Sequence, residues 1–158
     1  IYYIPGELIL DGVYLGELSP ETGDVAYAKY ISRNGKCIGY YSGFTLANRI
    51  HLSTQVPMVN EITTNNTKAS VREVYIKGRK YVIRKPVTEV TNENVSILML
   101  LDCITDYKKL RDEYTGKEEA SEMLSKFKEA NGITKADIDK YIGFYPERVY
   151  RSIYELEL

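Results

Sequence analysis

Among its 158 residues the chain has no tryptophan, one histidine (His51), two cysteines (Cys37 and Cys103) and three phenylalanines. A single histidine excludes a multi-histidine metal centre. The two thiols match no metal-ligand spacing and read as reduced cysteines of a cytoplasmic protein. Long apolar runs are also missing. The longest lies near Ile97–Leu101, far short of the ~20 residues that cross a bilayer. The start, Ile1-Tyr2-Tyr3-Ile4-Pro5, lacks the basic lead and apolar stretch of a signal peptide. It also lacks a methionine, which predicts a fragment or the loss of something upstream. Net charge is only −1, so the chain as a whole is no polyanion binder, although a local patch remains open.

What is present describes a folded domain. Hydrophobic residues make up 44% and charged residues 27%, the balance of an ordinary globular chain. A chain of this length buries enough surface to fold without a metal or disulfide staple. Tyrosine occurs 15 times, and its ring suits broad half-buried surfaces where the hydroxyl stays wet. Charge is unevenly spread. Residues 1–30 are net −4, residues 72–85 net +5, and residues 111–158 net −3.

Local patterns predict the elements. Residues 2–4 read as a strand, and 7–18 as loop with a single strand. Ser19-Pro20-Glu21 opens a helix that runs to about Arg33 and stops at Asn34-Gly35. Lys36–Gly39 reads as a short strand, Tyr40–Ile50 as a second helix and Val56–Thr64 as a strand. Val71–Ile76 and Lys80–Arg84 flank Lys77-Gly78-Arg79 as a hairpin. Neither hairpin face is purely polar, which predicts packing on both sides for part of its length. After Pro86 the period turns helical. Asn94–Leu110 is strongly apolar, Thr115-Gly116-Lys117-Glu118 fits a capping box, and Thr134 with Asp137 caps the next helix. Pro146 opens a last helix with Val149, Tyr150, Ile153 and Tyr154 on its apolar side.

The predicted fold is α+β. A small mixed sheet with a basic β-hairpin and two helices (1–90) precedes a helical C-terminal part (91–158) packed on it, with the seam at Val87–Glu93. A more regular α/β arrangement, in which the Asn94–Leu110 helix covers one sheet face, stays open. The expected core is Ile31, Leu46, Ile50, Val56, Val74, Ile76, Val82, Ile83, Leu98, Leu101, Ile104, Leu124, Phe127, Ile138 and Ile142.

Catalytic spacings fail. In Gly39-Tyr40-Tyr41-Ser42-Gly43 the serine comes one place too late for a nucleophile elbow. No phosphate-cradling glycine loop occurs. Asp137 and Asp139 lie two apart on a helix and face apart. No cofactor or metal is expected. The strongest feature by spacing alone is the run Arg72, Lys77, Arg79, Lys80, Arg84 and Lys85, with Tyr75 and Tyr81 among them. Such a run suits an acidic protein face or nucleic-acid phosphate, or protects a sheet edge from pairing. A nucleic-acid-processing enzyme would draw its carboxylates from Glu73 with Asp102 or Asp106. A plain oligomerisation domain is a third reading.

One segment carries a resemblance. Ala47, Asn48, Leu52, Ser53, Thr54, Gln55, Val56 and Pro57, with Ile50 in place of Leu, resemble the signature of AbiEi-type antitoxins. These are the regulator halves of bacterial type IV (abortive-infection) toxin–antitoxin pairs. The likeness extends over about residues 1–110 and includes the strand and basic hairpin of Val59–Lys85. His51 stands where the family usually has glycine, a position that suggests a left-handed helix terminus. Within the phrase, Leu46, Ala47 and Ile50 are expected on a buried helical stripe. Asn48 and Ser53-Thr54-Gln55 should bond a turn, and Pro57 should steer the chain into the next strand. The resemblance implies a non-catalytic antitoxin and transcriptional regulator that controls a nucleotidyltransferase-like toxin. In that family a winged helix-turn-helix usually precedes this region and binds promoter DNA. None precedes Ile1 here, which predicts that the DNA-binding module was trimmed or never present.

Overall fold

The computed structural model describes residues 2–4, 7–10, 13–14, 23–111 and 115–158. The Ser19-Pro20-Glu21 helix start lies outside the described residues. Strands β1 (Tyr2–Ile4), β2 (Glu7–Leu10) and β3 (Val13–Tyr14) form an antiparallel meander, with Tyr2 opposite Ile9 and Ile9 opposite Tyr14. The described residues of 7–18 thus lie in two strands rather than one.

Helix α1 (Gly23–Ala26) widens into a π-helical turn over Tyr27–Ile31, where the Ser32 N–H reaches the Tyr27 carbonyl. It stops short of Arg33 because β4 (Ser32–Arg33) pairs with β5 (Lys36–Cys37). Asn34 (φ 53°) and Gly35 (φ 76°) are both left-handed, as a two-residue hairpin turn demands. The Asn-Gly pair is therefore a hairpin turn and not a helix stop.

The main sheet joins β6 (Gly39–Tyr41), β7 (Asn60–Thr64), β8 (Val71–Ile76) and β9 (Arg79–Arg84) in the order β6-β7-β9-β8. It is mixed, since β7 and β9 run parallel while the other pairs are antiparallel. Tyr40 and Tyr41, expected in a helix, are strand residues opposite Thr63 and Ile62. Helix α2 is confined to Gly43–Arg49. The strand expected from Val56 begins only at Asn60. The hairpin forms as predicted, turning at Lys77 (φ 48°) and Gly78 (φ 82°).

Alternation gives the sheet two faces. On one, Tyr41, Ile62, Tyr81 and Ile83 are buried against Ala26, Tyr27, Tyr30 and Ile31, with Val74 and Ile76 at the margin. On the other, Tyr40 joins the larger core, which is centred on α3 (Val95–Leu110). Around α3 pack α2, α4 (Lys117–Ala130), α5 (Lys135–Tyr141) and α6 (Arg148–Leu156). The hairpin is covered along one face, while on the other Lys80 and Val82 are half-buried and Val71, Glu73, Tyr75 and Arg84 exposed, so packing on that second side is only partial.

Capping follows the sequence in part. Thr134 and Asp137 form the predicted box, with the Asp137 N–H donating to Thr134 Oγ1 (3.2 Å) and the Thr134 N–H to Asp137 Oδ2 (2.9 Å). The chain enters α4 at Gly116 instead of Thr115. On α6 the buried residues are Val149, Ser152 and Leu156, while Tyr150 is exposed and Tyr154 is 86% exposed. The aliphatic spacing 149, 153, 156 sets the inner face, and the tyrosines stay in water. Of the expected core, Val56 is the clear miss at 80% exposure, and Ile50, Val74, Ile76, Val82 and Phe127 are half-buried. The architecture is α+β, as the sequence predicts.

Candidate functional site

The family-like phrase folds as a buried anchor followed by an exposed tip. Leu46 and Ala47 are buried on α2. Ser42 precedes the helix but does not cap it, because its Oγ accepts a bond from Thr63 Oγ1 (2.9 Å). Glu61 on β7 supplies the cap instead. Its carboxylate accepts the Phe44 N–H (2.9 Å), and its own N–H donates to Thr45 Oγ1 (2.9 Å). Gly43 is left-handed at φ 56°, and a Cβ there would collide with the Glu61 carboxylate. The start of α2 is thus fixed to β7 by the Glu61 carboxylate, which a side chain at position 43 would displace.

The helix ends at a left-handed residue, His51 (φ 67°). Both Leu52 N–H (2.9 Å) and Ser53 N–H (3.2 Å) return to the Ala47 carbonyl. Asn48 Nδ2 donates to the Ser53 carbonyl (3.4 Å), and Ser53 Oγ accepts the Gln55 N–H (3.2 Å). These are the turn bonds expected of Asn48 and Ser53. Leu52 and Ser53 are buried, Thr54 and Gln55 are exposed, and Met58 is 99% exposed.

The tip overhangs the uncovered half of the sheet. Val56, Pro57, Met58, Phe44, Lys80 and Val82 are among the residues around an apolar depression of about 650 Å³. Beside it on β8 stand Tyr75, 67% exposed, and exposed Val71. Both lie on the same face as Lys80 and Val82, because Tyr75 is opposite Lys80 and Glu73 is opposite Val82.

The basic run does not form one patch. Arg72 turns to the covered face, where its Nη2 donates to the Tyr30 hydroxyl (3.4 Å). Lys80 pairs with Glu73 (2.9 Å) and Arg84 with Glu61 (3.4 Å) on the open face. Lys77 occupies the hairpin turn, exposed Arg79 lies opposite Ile76, and Lys85 lines a second cavity.

That second cavity is a polar cleft of about 260 Å³ between β6, β7, the end of β9 and α3. Phe44 and Glu61 form the wall it shares with the apolar depression. At its inner end the Tyr40 hydroxyl donates to Asp102 Oδ2 (2.5 Å). Burial pushes the Asp102 carboxyl up to about 6. Burial, reinforced by the Asp102 charge, raises the Tyr40 and Tyr145 phenols. The Tyr145 hydroxyl donates to the Leu98 carbonyl (3.2 Å). Cys103 is fully packed, and burial pushes its thiol well up, which leaves it inert as a nucleophile.

The carboxylates named for an enzymatic reading do not converge. Glu73 lies on the edge strand, paired with Lys80, and does not line the cleft that Asp102 and Asp106 share. Asp106 sits at a kink in α3 and pairs with Arg148 (3.1 Å). Among the described residues, no group of three His, Cys, Asp or Glu side chains is placed to hold a metal ion. His51 is exposed. Sequence reasoning missed the Tyr40–Asp102 pair. Its signal was an aspartate set between Leu101 and Cys103 in the most apolar helix of the chain.

Comparison of the chain with protein-family models, curated proteins and solved structures finds no match.

Proposed function

We propose that this chain is the regulator domain of a type IV toxin–antitoxin pair, of the AbiEi kind, working by protein contact and without catalysis. The observation that carries the reading is the division of the family-like phrase. Its first half is anchored in the core, while Val56 near its end stands 80% exposed, and Met58, just past it, 99% exposed, over the open sheet face. Exposed aliphatic side chains beside Tyr75 and Phe44 have the composition of an interface centre, rimmed by the Lys80–Glu73 and Arg84–Glu61 pairs. Large apolar groups left in water next to one another mark contact surfaces. The separation of Glu73 from Asp102 and Asp106 also favours contact over nucleic-acid hydrolysis. The partner in this reading is a nucleotidyltransferase-like toxin, with promoter DNA a second partner if a winged-helix module lies upstream.

The test is co-expression with the product of the adjacent reading frame. The expected result is rescue of growth by the wild-type chain and loss of rescue with the double variant Val56→Asp/Met58→Asp at equal expression. Absence of rescue by the wild type, with no complex on size-exclusion chromatography, ends the reading.

A further inference from the structure

The polar cleft is not used by the proposed contact face, and its charges are unevenly satisfied. Three carboxylates line it, and each is engaged within the protein. Glu61 holds the Phe44 N–H and Arg84, Asp106 holds Arg148, and Asp102 accepts from Tyr40. Three cations line it as well. Arg84 is paired, whereas Lys85 and Lys109 have no acidic partner among the described residues. Lys109 Nζ lies 6.0 Å from the centre of the Phe44 ring. The open valence of the cleft is therefore positive at the mouth. Hydroxyls and a carboxylate wait at its inner end, where Ser42, Thr63 and Tyr40 are buried. Phe44, Pro86 and Val87 supply apolar walls between.

We propose that this cleft binds a small phosphate monoester, with Lys85 and Lys109 meeting the phosphate and Asp102 with Tyr40 meeting a hydrogen-bond donor at the ligand's far end. Ammonium groups with no acidic partner among the described residues attract a dianion. The Asp102 carboxylate has acceptor capacity beyond the bond it takes from Tyr40, so it favours a ligand that brings an N–H or O–H group. The volume, about 260 Å³, lies just under the ~300–1,000 Å³ of drug-sized sites, which limits the ligand to a single phosphate on a body no larger than a nucleoside. A nucleoside 5′-monophosphate and a sugar phosphate share this chemistry.

Isothermal titration of the chain with AMP, ribose 5-phosphate and inorganic phosphate tests it. The expected result is saturable binding of at least one ester, at least about tenfold tighter than inorganic phosphate. The ester that binds more tightly identifies the source. Lys85→Ala/Lys109→Ala should weaken binding at least about tenfold with an unchanged circular dichroism spectrum. Lys77→Ala/Arg79→Ala, on the hairpin end outside the cleft, should leave binding unaltered. No saturable binding of either ester, equal affinity for inorganic phosphate, or equal losses in the two lysine-bearing variants would overturn the proposal. The toxin-rescue assay does not depend on this outcome.

Discussion

The two faces of the four-stranded sheet are cut from the same strands yet meet opposite surroundings. On β9, Tyr81 and Ile83 are buried beneath α1, while Lys80, Val82 and Arg84, which alternate with them, face the open side. On β8, Val74 and Ile76 lean on the covered side, and Val71, Glu73 and Tyr75 stand in water. Each face carries both aliphatic and charged residues, so hydropathy alternation along the hairpin does not say which will be covered. The decision comes from a distant segment, where Tyr27, Tyr30 and Ile31 supply the apolar lid. The other face, where Val71, Tyr75 and Val82 stand among Glu73, Lys80 and Arg84, receives no such lid.

The sharpest contrast is predicted within β9 itself. Ile83→Ala removes a fully buried side chain and should cost about 2–5 kcal/mol. Val82→Ala, next to it on the open face, should cost less than about 1 kcal/mol. Urea denaturation of the two variants measures the difference. Equal losses would mean that the second face is covered as well, and the comparison would break.

At the covered end of the second face, Asp102 predicts a pH dependence. Its folded value, about 6, lies above the ordinary 3.8, so the folded state binds the proton more tightly than the unfolded chain. The stability this confers is fully present below the unfolded value and is lost as pH rises through the folded one. The loss between about pH 4 and about pH 7 is at most roughly 3 kcal/mol. Asp137 and Glu155 act in the opposite sense. Bonds from the Thr134 backbone and from the Tyr107 hydroxyl, respectively, hold their carboxyls below the usual range, and what they add falls away on acidification. Asp102→Asn should flatten the wild-type fall across that window and leave the acid limb in place. An unchanged slope in denaturation curves recorded along the pH series would remove Asp102 from the account.

His51 stands at the joint between the buried helix and the exposed tip. Its left-handed backbone (φ 67°) is strained for a side chain bearing a Cβ and free for glycine. His51→Gly should therefore raise stability by about 0.5–1 kcal/mol, after the greater entropy of glycine in the unfolded chain is subtracted. A drop in melting temperature would show that the imidazole makes a contact worth more than the strain.

Much of this was legible in the residues. The hairpin around Lys77-Gly78, the Thr134–Asp137 box and the long helix after Pro86 are all local signals, and each is found in the fold; the left-handed place of His51 is suggested only by the resemblance, whose family usually has glycine there. The failures are of one kind. Asn34-Gly35 suits a helix stop and a hairpin turn equally, and only the pairing of Ser32 with Cys37 chooses between them. Tyr40 and Tyr41 have the side chains of either element until β7 arrives beside them. Val56 is β-branched and apolar, which predicts a core strand, yet the phrase leaves the core at Ser53. The Tyr40–Asp102 bond joins residues far apart in the chain, and no spacing rule connects them.

The smallest effect on folding is predicted at the tip, and it bears most directly on the contrast between the faces. Val56→Ser and Met58→Ser alter side chains that are 80% and 99% exposed, so each should shift stability by no more than about 0.5 kcal/mol. If the open face is a contact centre, the same pair should lower affinity for the toxin partner at least about tenfold, because truncated anchors at an interface cost more than about 1 kcal/mol each. Surface plasmon resonance on the purified pair, alongside thermal melts of the free variants, separates the two quantities. A stability loss above about 1 kcal/mol would place the tip in the fold's own packing. Unaltered affinity with unaltered stability would leave the open face without a partner at this position, and the contrast between the two faces would then describe folding alone.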